Sequence, residues 1–158
     1  MSVNEILPNL WLGDKTASQS KEFLSRMNIG LVVNCTKDIP FCRKLPRGCD
    51  KIRLPVDDNL RPEEIHAMTR WSPGVVRHIW SVYSKGVPVF IHCYAGVQRS
   101  AAITAMFLIF YQRCSTRDAI RRIRQRRPIA FQPGINFEES IRTFEEHLSR
   151  VLKEAHEM

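Results

Sequence analysis

At 158 residues, 44% of them apolar and 25% charged, the chain has the size and balance of one globular domain that buries its own core without disulfides or metal. Lys and Arg number 24 against 16 Asp and Glu, a formal net charge of +8. That excludes an acidic tail or a collagen-like chain and favours an anionic partner: a phosphorylated protein, nucleic acid or a lipid headgroup.

The first nine residues carry no basic region and no long apolar run, so no signal peptide is expected. Leu10–Gly13 after Pro8 predicts a short strand ending in a turn. Residues 20–27 have a short helical pattern. The β-branched run 31–35 predicts a buried strand, and 51–56 alternates like a half-buried strand that Pro55 ends or confines to an edge. Ser72-Pro73 is an N-cap followed by a first-turn proline, predicting a helix through Val76, Ile79 and Tyr83 that stops near Gly86. Residues 88–91 form another buried strand. The stretch 99–111 is apolar on nearly every side and predicts a central helix, about half of what a membrane span needs in its apolar part. An amphipathic helix over 115–126 turns Ile120 and Ile123 inward. Asn136 with Glu139 makes a capping-box pattern ahead of a last helix carrying Ile141, Phe144, Leu148 and Val151. Strands alternating with helices imply an α/β domain with a mostly parallel sheet of four to five strands.

Five cysteines, Cys35, Cys42, Cys49, Cys93 and Cys114, include no CxxC pair, and the five histidines are scattered without metal-ligand spacing. A reduced intracellular protein, cytoplasmic or also nuclear, is expected, with no cofactor.

The chemistry lies in His92-Cys93-Tyr94-Ala95-Gly96-Val97-Gln98-Arg99-Ser100, between a buried strand and a buried helix. A loop so placed points its N–H groups and the positive helix end into one concave space. Gly96 allows backbone conformations that a Cβ would block. Arg99 can grip an oxyanion through two parallel hydrogen bonds. Dipole, amides and Arg99 together favour the thiolate of Cys93. An activated thiolate in an anion cradle is a nucleophile for phosphoryl transfer.

This segment resembles the HCxxGxxRS signature of the cysteine-dependent protein phosphatases. The chain from about residue 6 to 148 is similar to a dual-specificity phosphatase catalytic domain, which implies a single such domain over 1–158. Ile6-Leu7-Pro8-Asn9-Leu10-Trp11-Leu12-Gly13 resembles the family's opening strand, and Leu31-Val32-Val33-Asn34-Cys35-Thr36 its next. Leu54-Pro55-Val56-Asp57-Asp58-Asn59 resembles the segment supplying the general acid. Arg127-Pro128 through Phe137 resembles the loop before the last helix. Gln98 stands where many members have Ser, and Gly134 follows Pro133 where the family usually has Asn.

The resemblance implies metal-independent hydrolysis of phosphoserine, phosphothreonine and phosphotyrosine in proteins, through a cysteinyl-phosphate on Cys93. The amides of Tyr94, Ala95, Gly96, Val97, Gln98 and Arg99 would hold the phosphate oxygens together with the Arg99 guanidinium. Register with the family's strand end assigns the general acid to Asp58. Ser100 would ease departure of the sulfur, His92 would fix the loop and depress the thiol pKa, and Asn34 would brace the loop from the neighbouring strand. Cys35 is either a packed core thiol or a redox partner of Cys93. The chain has no room for the loop that deepens the pocket of larger tyrosine-specific domains, so a shallow pocket is expected.

Arg113, Arg117, Arg121, Arg122, Arg124, Arg126 and Arg127 crowd one helix and its end. They read as a solvated face, as a dock for an acidic segment of a phosphoprotein, or as a grip on a phosphorylated RNA end. The alternative functions are an RNA 5′-phosphatase or triphosphatase of the same superfamily and a phosphate-binding scaffold with little activity. Arg99-Ser100-Ala101, where such RNA enzymes often have Arg-Thr-Gly, disfavours the first. The presence of Cys93 disfavours the second. Neither the substrate nor the oligomeric state is legible, and no separate docking domain is expected before Ile6.

Overall fold

The computed structural model describes residues 1–157. Its elements are β1 (Val3–Leu7), β2 (Leu10–Gly13), α1 (Lys15–Ser18), α2 (Lys21–Arg26), β3 (Leu31–Asn34), β4 (Asp50–Arg53), α3 (Pro62–Tyr83), β5 (Val89–His92), α4 (Arg99–Gln112), α5 (Thr116–Arg126) and α6 (Glu138–Glu157). One sheet runs in the order β1-β2-β5-β3-β4. Every pairing is parallel except β1 with β2.

Central strands β3 and β5 are buried at every position, as expected for parallel strands covered on both faces. Their side chains alternate between two apolar clusters. Val32 and Phe90 join Phe23, Leu24 and Ile29 under α1 and α2. Leu31, Val33, Val89 and Ile91 face the larger cluster beneath α3 to α6. Helix α4 has ten consecutive buried residues, 100–109, because it is the helix packed between the sheet and the other helices. Among the described residues no helix is long and apolar enough to cross a membrane.

Two local expectations are corrected, and one strand lies outside them. Helix α3 does not start at Ser72. It begins at Pro62, after Arg61 in extended backbone, and takes Pro73 into its interior. Pro73 has no N–H for the Thr69 carbonyl, but the Ser72 hydroxyl donates to that oxygen at 3.3 Å, and burial of Met68, Val75, Val76 and Ile79 carries the helix through. Strand β1 has no periodic signature of its own. It turns into β2 through Asn9, at φ 69°, and its residues Asn4 and Glu5 lack an apolar alternation. Asn136 does not cap α6, which begins at Glu138; its side chain reaches a partner in the cleft instead.

Candidate active site

Strand β5 ends at His92 in the middle of the sheet, and α4 begins at Arg99, so residues 93–98 form the loop between them. Four carbonyls of this loop, those of residues 94–97, and that of His92 before it are bonded to the surrounding protein. His92 O accepts from Cys35 N–H at 2.9 Å, Tyr94 O from Lys15 N–H at 2.9 Å, and Val97 O from Phe131 N–H at 2.8 Å. Arg127 Nε donates to Gly96 O at 2.8 Å and its Nη2 to Ala95 O at 3.0 Å. With these oxygens engaged outside, the loop has the arrangement that an anion-binding nest of amides requires. Gly96 is required twice over. Its φ is +69°, and a Cβ would sit 2.5 Å from the Gly13 carbonyl oxygen.

Cys93 lies at the bottom of the hollow, 3% exposed. Burial alone would raise its thiol pKa. The Ser100 hydroxyl and amide, Arg99 and the Gly96 amide outweigh that, and the pKa lies below the ordinary thiol value. Ser100 Oγ is 3.1 Å from the sulfur. Arg99 Nη1 donates to Val56 O at 3.0 Å, which ties the guanidinium to the segment before Asp57 and Asp58. Those two aspartates, with Asp38 and the loop, line a cleft of about 450 Å³ above Cys93.

The two aspartates differ in what holds them. Asp57 Oδ2 pairs with Lys37 Nζ at 3.1 Å, and its N–H donates to Glu64 Oε1 at 2.7 Å. Asp58 is free of that cluster; its Oδ1 accepts from Asn136 Nδ2 at 2.8 Å.

His92 does not act as expected on the thiol. Burial pushes its pKa down to about 4, so near neutrality it is uncharged and cannot favour the thiolate by charge. Its Nδ1 lies 3.3 Å from Cys93 O, and its buried Nε2 has no partner among the described residues. The unfolded chain takes up a proton on this histidine below about pH 6.5, which the folded chain refuses until about pH 4. Stability is therefore complete above pH 6.5 and declines toward pH 4, by on the order of 3 kcal/mol. Denaturant midpoints measured from pH 7 to 4 should fall more steeply for the wild type than for His92→Gln. Parallel profiles would exclude this contribution.

Asn34 also has a different task. Its Nδ2 donates to Ile39 O at 2.8 Å and its Oδ1 accepts from the Thr36 hydroxyl at 2.7 Å. It shapes the turn that brings Asp38 to the cleft rather than bracing the phosphate loop. Cys35 is buried beside Cys93, since Asn34 and His92 are paired in register on parallel strands. Burial, and then the charge of Cys93, raise the Cys35 thiol.

The basic stretch is not one face. Arg127 is fully buried, and besides its two bonds to the loop it donates through Nη1 to Asn4 Oδ1 at 2.8 Å. Arg126 Nε bonds Glu5 O, and Arg124 bonds Ala130 O and Phe131 O. Arg113 and Arg126 are exposed elsewhere on the surface, and Arg117, Arg121 and Arg124 join Arg142 in a groove between α5 and the start of α6, around Ile120 and Ile135. Arg127 and Asn136 support the site without a sequence pattern that marks them as doing so. The resemblance of Arg127-Pro128 to the family's loop is the one signal for the first.

The family profile described as "Dual specificity phosphatase, catalytic domain" matches residues 10–147. Dual specificity protein phosphatase Mpk3 of Drosophila melanogaster is 32% identical over 146 residues, 91% of this chain and 34% of that protein. Dual specificity protein phosphatase 9 of Homo sapiens is 28% identical over 152 residues, 96% of this chain and 38% of that one. The chain thus spans about a third of the length of these relatives. Among solved structures, human DUSP28 superposes with a TM-score of 0.81 at 23% identity, covering 93% of this chain and 95% of that one. DUSP15 does so with 0.79 at 24% identity, covering 96% and 95%.

Proposed function

Because the chain belongs to the dual-specificity phosphatase family, we propose that it hydrolyses phosphoserine, phosphothreonine and phosphotyrosine in proteins with Cys93 as nucleophile. What supports this reading is the loop over Cys93, whose Tyr94, Ala95, Gly96 and Val97 carbonyls are bonded to the surrounding protein, with Ser100 Oγ 3.1 Å from the sulfur. The Cys93 thiolate attacks phosphorus and the ester oxygen leaves with a proton from Asp58, giving cysteinyl-phosphate. The loop amides and Arg99 hold the three equatorial oxygens, and such preorganised donors are commonly the largest catalytic contribution. Water then attacks phosphorus, giving its proton to Asp58, and the sulfur departs as a thiolate that accepts a hydrogen bond from Ser100. The positive field comes from the protein itself, so the chemistry needs no metal.

The groove between α5 and α6 supports a finer reading, a dock for an acidic segment of the phosphoprotein. Its exposed pairs, Arg121–Asp118 and Arg142–Glu138, are worth little in water and can be exchanged for a peptide's carboxylates. Five free cysteines favour a reducing compartment, the cytoplasm or nucleus.

Phosphate release should be compared on phosphothreonine and phosphotyrosine peptides, each with and without an acidic flank, and on 5′-triphosphorylated RNA. We expect both peptides to turn over and the flank to lower KM, with the gain erased by salt. Turnover of the RNA alone would overturn the protein-phosphatase reading, and indifference to the flank would overturn the dock.

Cys35 supports a redox reading as well. Neighbouring strands lie about 4.8 Å apart, within disulfide reach. Peroxide would oxidise Cys93 to the sulfenic acid, and Cys35 sulfur would then displace its oxygen as water, closing a disulfide. Peptide mapping after mild peroxide should find the Cys35–Cys93 bond, and in Cys35→Ser the irreversible sulfinic acid on Cys93 instead. Sulfinic Cys93 in the wild type under the same conditions would remove Cys35 from the scheme.

A further inference from the structure

The side chain of Gln98, beside Arg99 in the loop, has no part in the chemistry just described, yet the residue is 6% exposed and every polar atom of that side chain is engaged. Its Nε2 donates to Gly134 O at 2.7 Å and to Gln132 O at 3.3 Å, and its Oε1 accepts from Asn136 N–H at 3.0 Å. One side chain of the phosphate loop thereby fixes three residues of the segment that leads into α6. That segment ends on the bond from Asn136 Nδ2 to Asp58 Oδ1. We propose that Gln98 and Asn136 are positioning residues that hold the acid Asp58 in place over the phosphate loop, a proposal that rests on the phosphatase reading above.

The chemistry of the bond supports the assignment. Asp58 sits on an exposed loop, where a short carboxyl would sample several rotamers. An amide N–H on Oδ1 selects one of them. It also leaves the acidic proton to Oδ2, because Oδ1 is already an acceptor. When that proton is given up, the same N–H faces a full carboxylate and the bond becomes charge-assisted and stronger. The backbone side of the acid loop is held by Arg99 through Val56 O. Adjacent residues of the phosphate loop thus secure the acid at its main chain and, through the 132–136 segment, at its carboxyl. A serine at position 98 would be too short to span to Gly134 and Asn136.

The distinguishing property of such a relay is that it acts only through Asp58. Asn136→Ala and Gln98→Ala should be assayed on a phosphothreonine peptide and on an activated aryl phosphate, each in the wild-type and Asp58→Asn backgrounds. Misplacing a catalytic group by about 1 Å can cost 10²-fold. We expect Asn136→Ala to lose about 10- to 100-fold in kcat on the peptide and much less on the aryl phosphate, whose leaving group needs little protonation. In the Asp58→Asn background the same change should cost nothing further. Gln98→Ala should show the same preference for damage on the peptide. Equal losses on both substrates, or losses that multiply with Asp58→Asn, would overturn the proposal. A readout independent of turnover is the NMR signal of the Asn136 side-chain amide, which should follow the titration of Asp58 in the wild type and lose that dependence in Gln98→Ala. Persistence of the dependence in Gln98→Ala would exclude Gln98 from the relay. A wild type that titrates as expected but releases no phosphate from either substrate would overturn the phosphatase reading instead.

Discussion

Cys93→Ser is expected to abolish phosphate release, by on the order of 10⁴-fold or more, since removal of a covalent nucleophile leaves only binding and charge stabilisation behind. A serine hydroxyl is not ionised by the forces that act on Cys93. The Ser100 bonds, the Arg99 charge and the Gly96 amide suffice to hold a thiol below its ordinary pKa against its own burial, but an alcohol starts far higher. In the wild type, kcat/KM should fall as pH drops through the lowered thiol pKa, so activity persists at pH values where an ordinary cysteine would be protonated. Vanadate should inhibit as a phosphate mimic, and chelators should have no effect. Substantial turnover by Cys93→Ser, or loss of activity with chelator, would contradict the mechanism.

Asp58→Asn is expected to slow turnover of phosphothreonine peptide by about 10²- to 10⁴-fold and to spare an activated aryl phosphate comparatively. An alkoxide is a poor leaving group and needs the proton, whereas an activated aryloxide does not. The alkaline limb of the kcat profile reports loss of the acid's proton, so it should flatten in the same variant. Asp57→Asn should do neither, because its carboxylate is committed to Lys37 on the other side of the loop. Both variants on both substrates across pH decide the matter. A larger, leaving-group-dependent loss in Asp57→Asn would exchange the two roles.

Sequence is most legible where local pattern and final environment coincide. Residues 99–111 are apolar all round, and they form α4, buried on nearly all sides. Gly96 stands in the one loop position where positive φ and a close neighbour both demand it. Adjacent in sequence, Asp57 and Asp58 take different partners, Lys37 and Asn136. Legibility fails where a residue's role depends on distant backbone. Arg127 has the composition of a surface charge, and no periodicity announces that Ala95 and Gly96 carbonyls await it. Asn136 has the spacing of a helix cap, yet Asp58 claims its side chain. Pro73 looks like a helix start, because nothing local shows that the chain is already helical and that Ser72 will serve the stranded carbonyl. His92 sits beside the thiol as a cation would, but burial forbids it the charge.

The three bonds of Arg127 carry a last consequence. The guanidinium joins Asn4 near one end of the chain, Ala95 and Gly96 in the middle, and the end of α5, with the Asn4 link spanning 123 positions of sequence. Closing a contact over so long a contour costs chain entropy that only the rest of the fold offsets. The nine-residue signature is therefore necessary but inert by itself. A short peptide reading His92 to Ser100 has the same letters, yet lacks Gly13 to crowd Gly96, Phe131 to hold Val97 and Arg127 to turn two carbonyls away. Its cysteine is expected to behave as an ordinary thiol. The lowered thiol of Cys93 is a property of the finished molecule, acquired when three remote parts of one strand of polymer arrive at the same place.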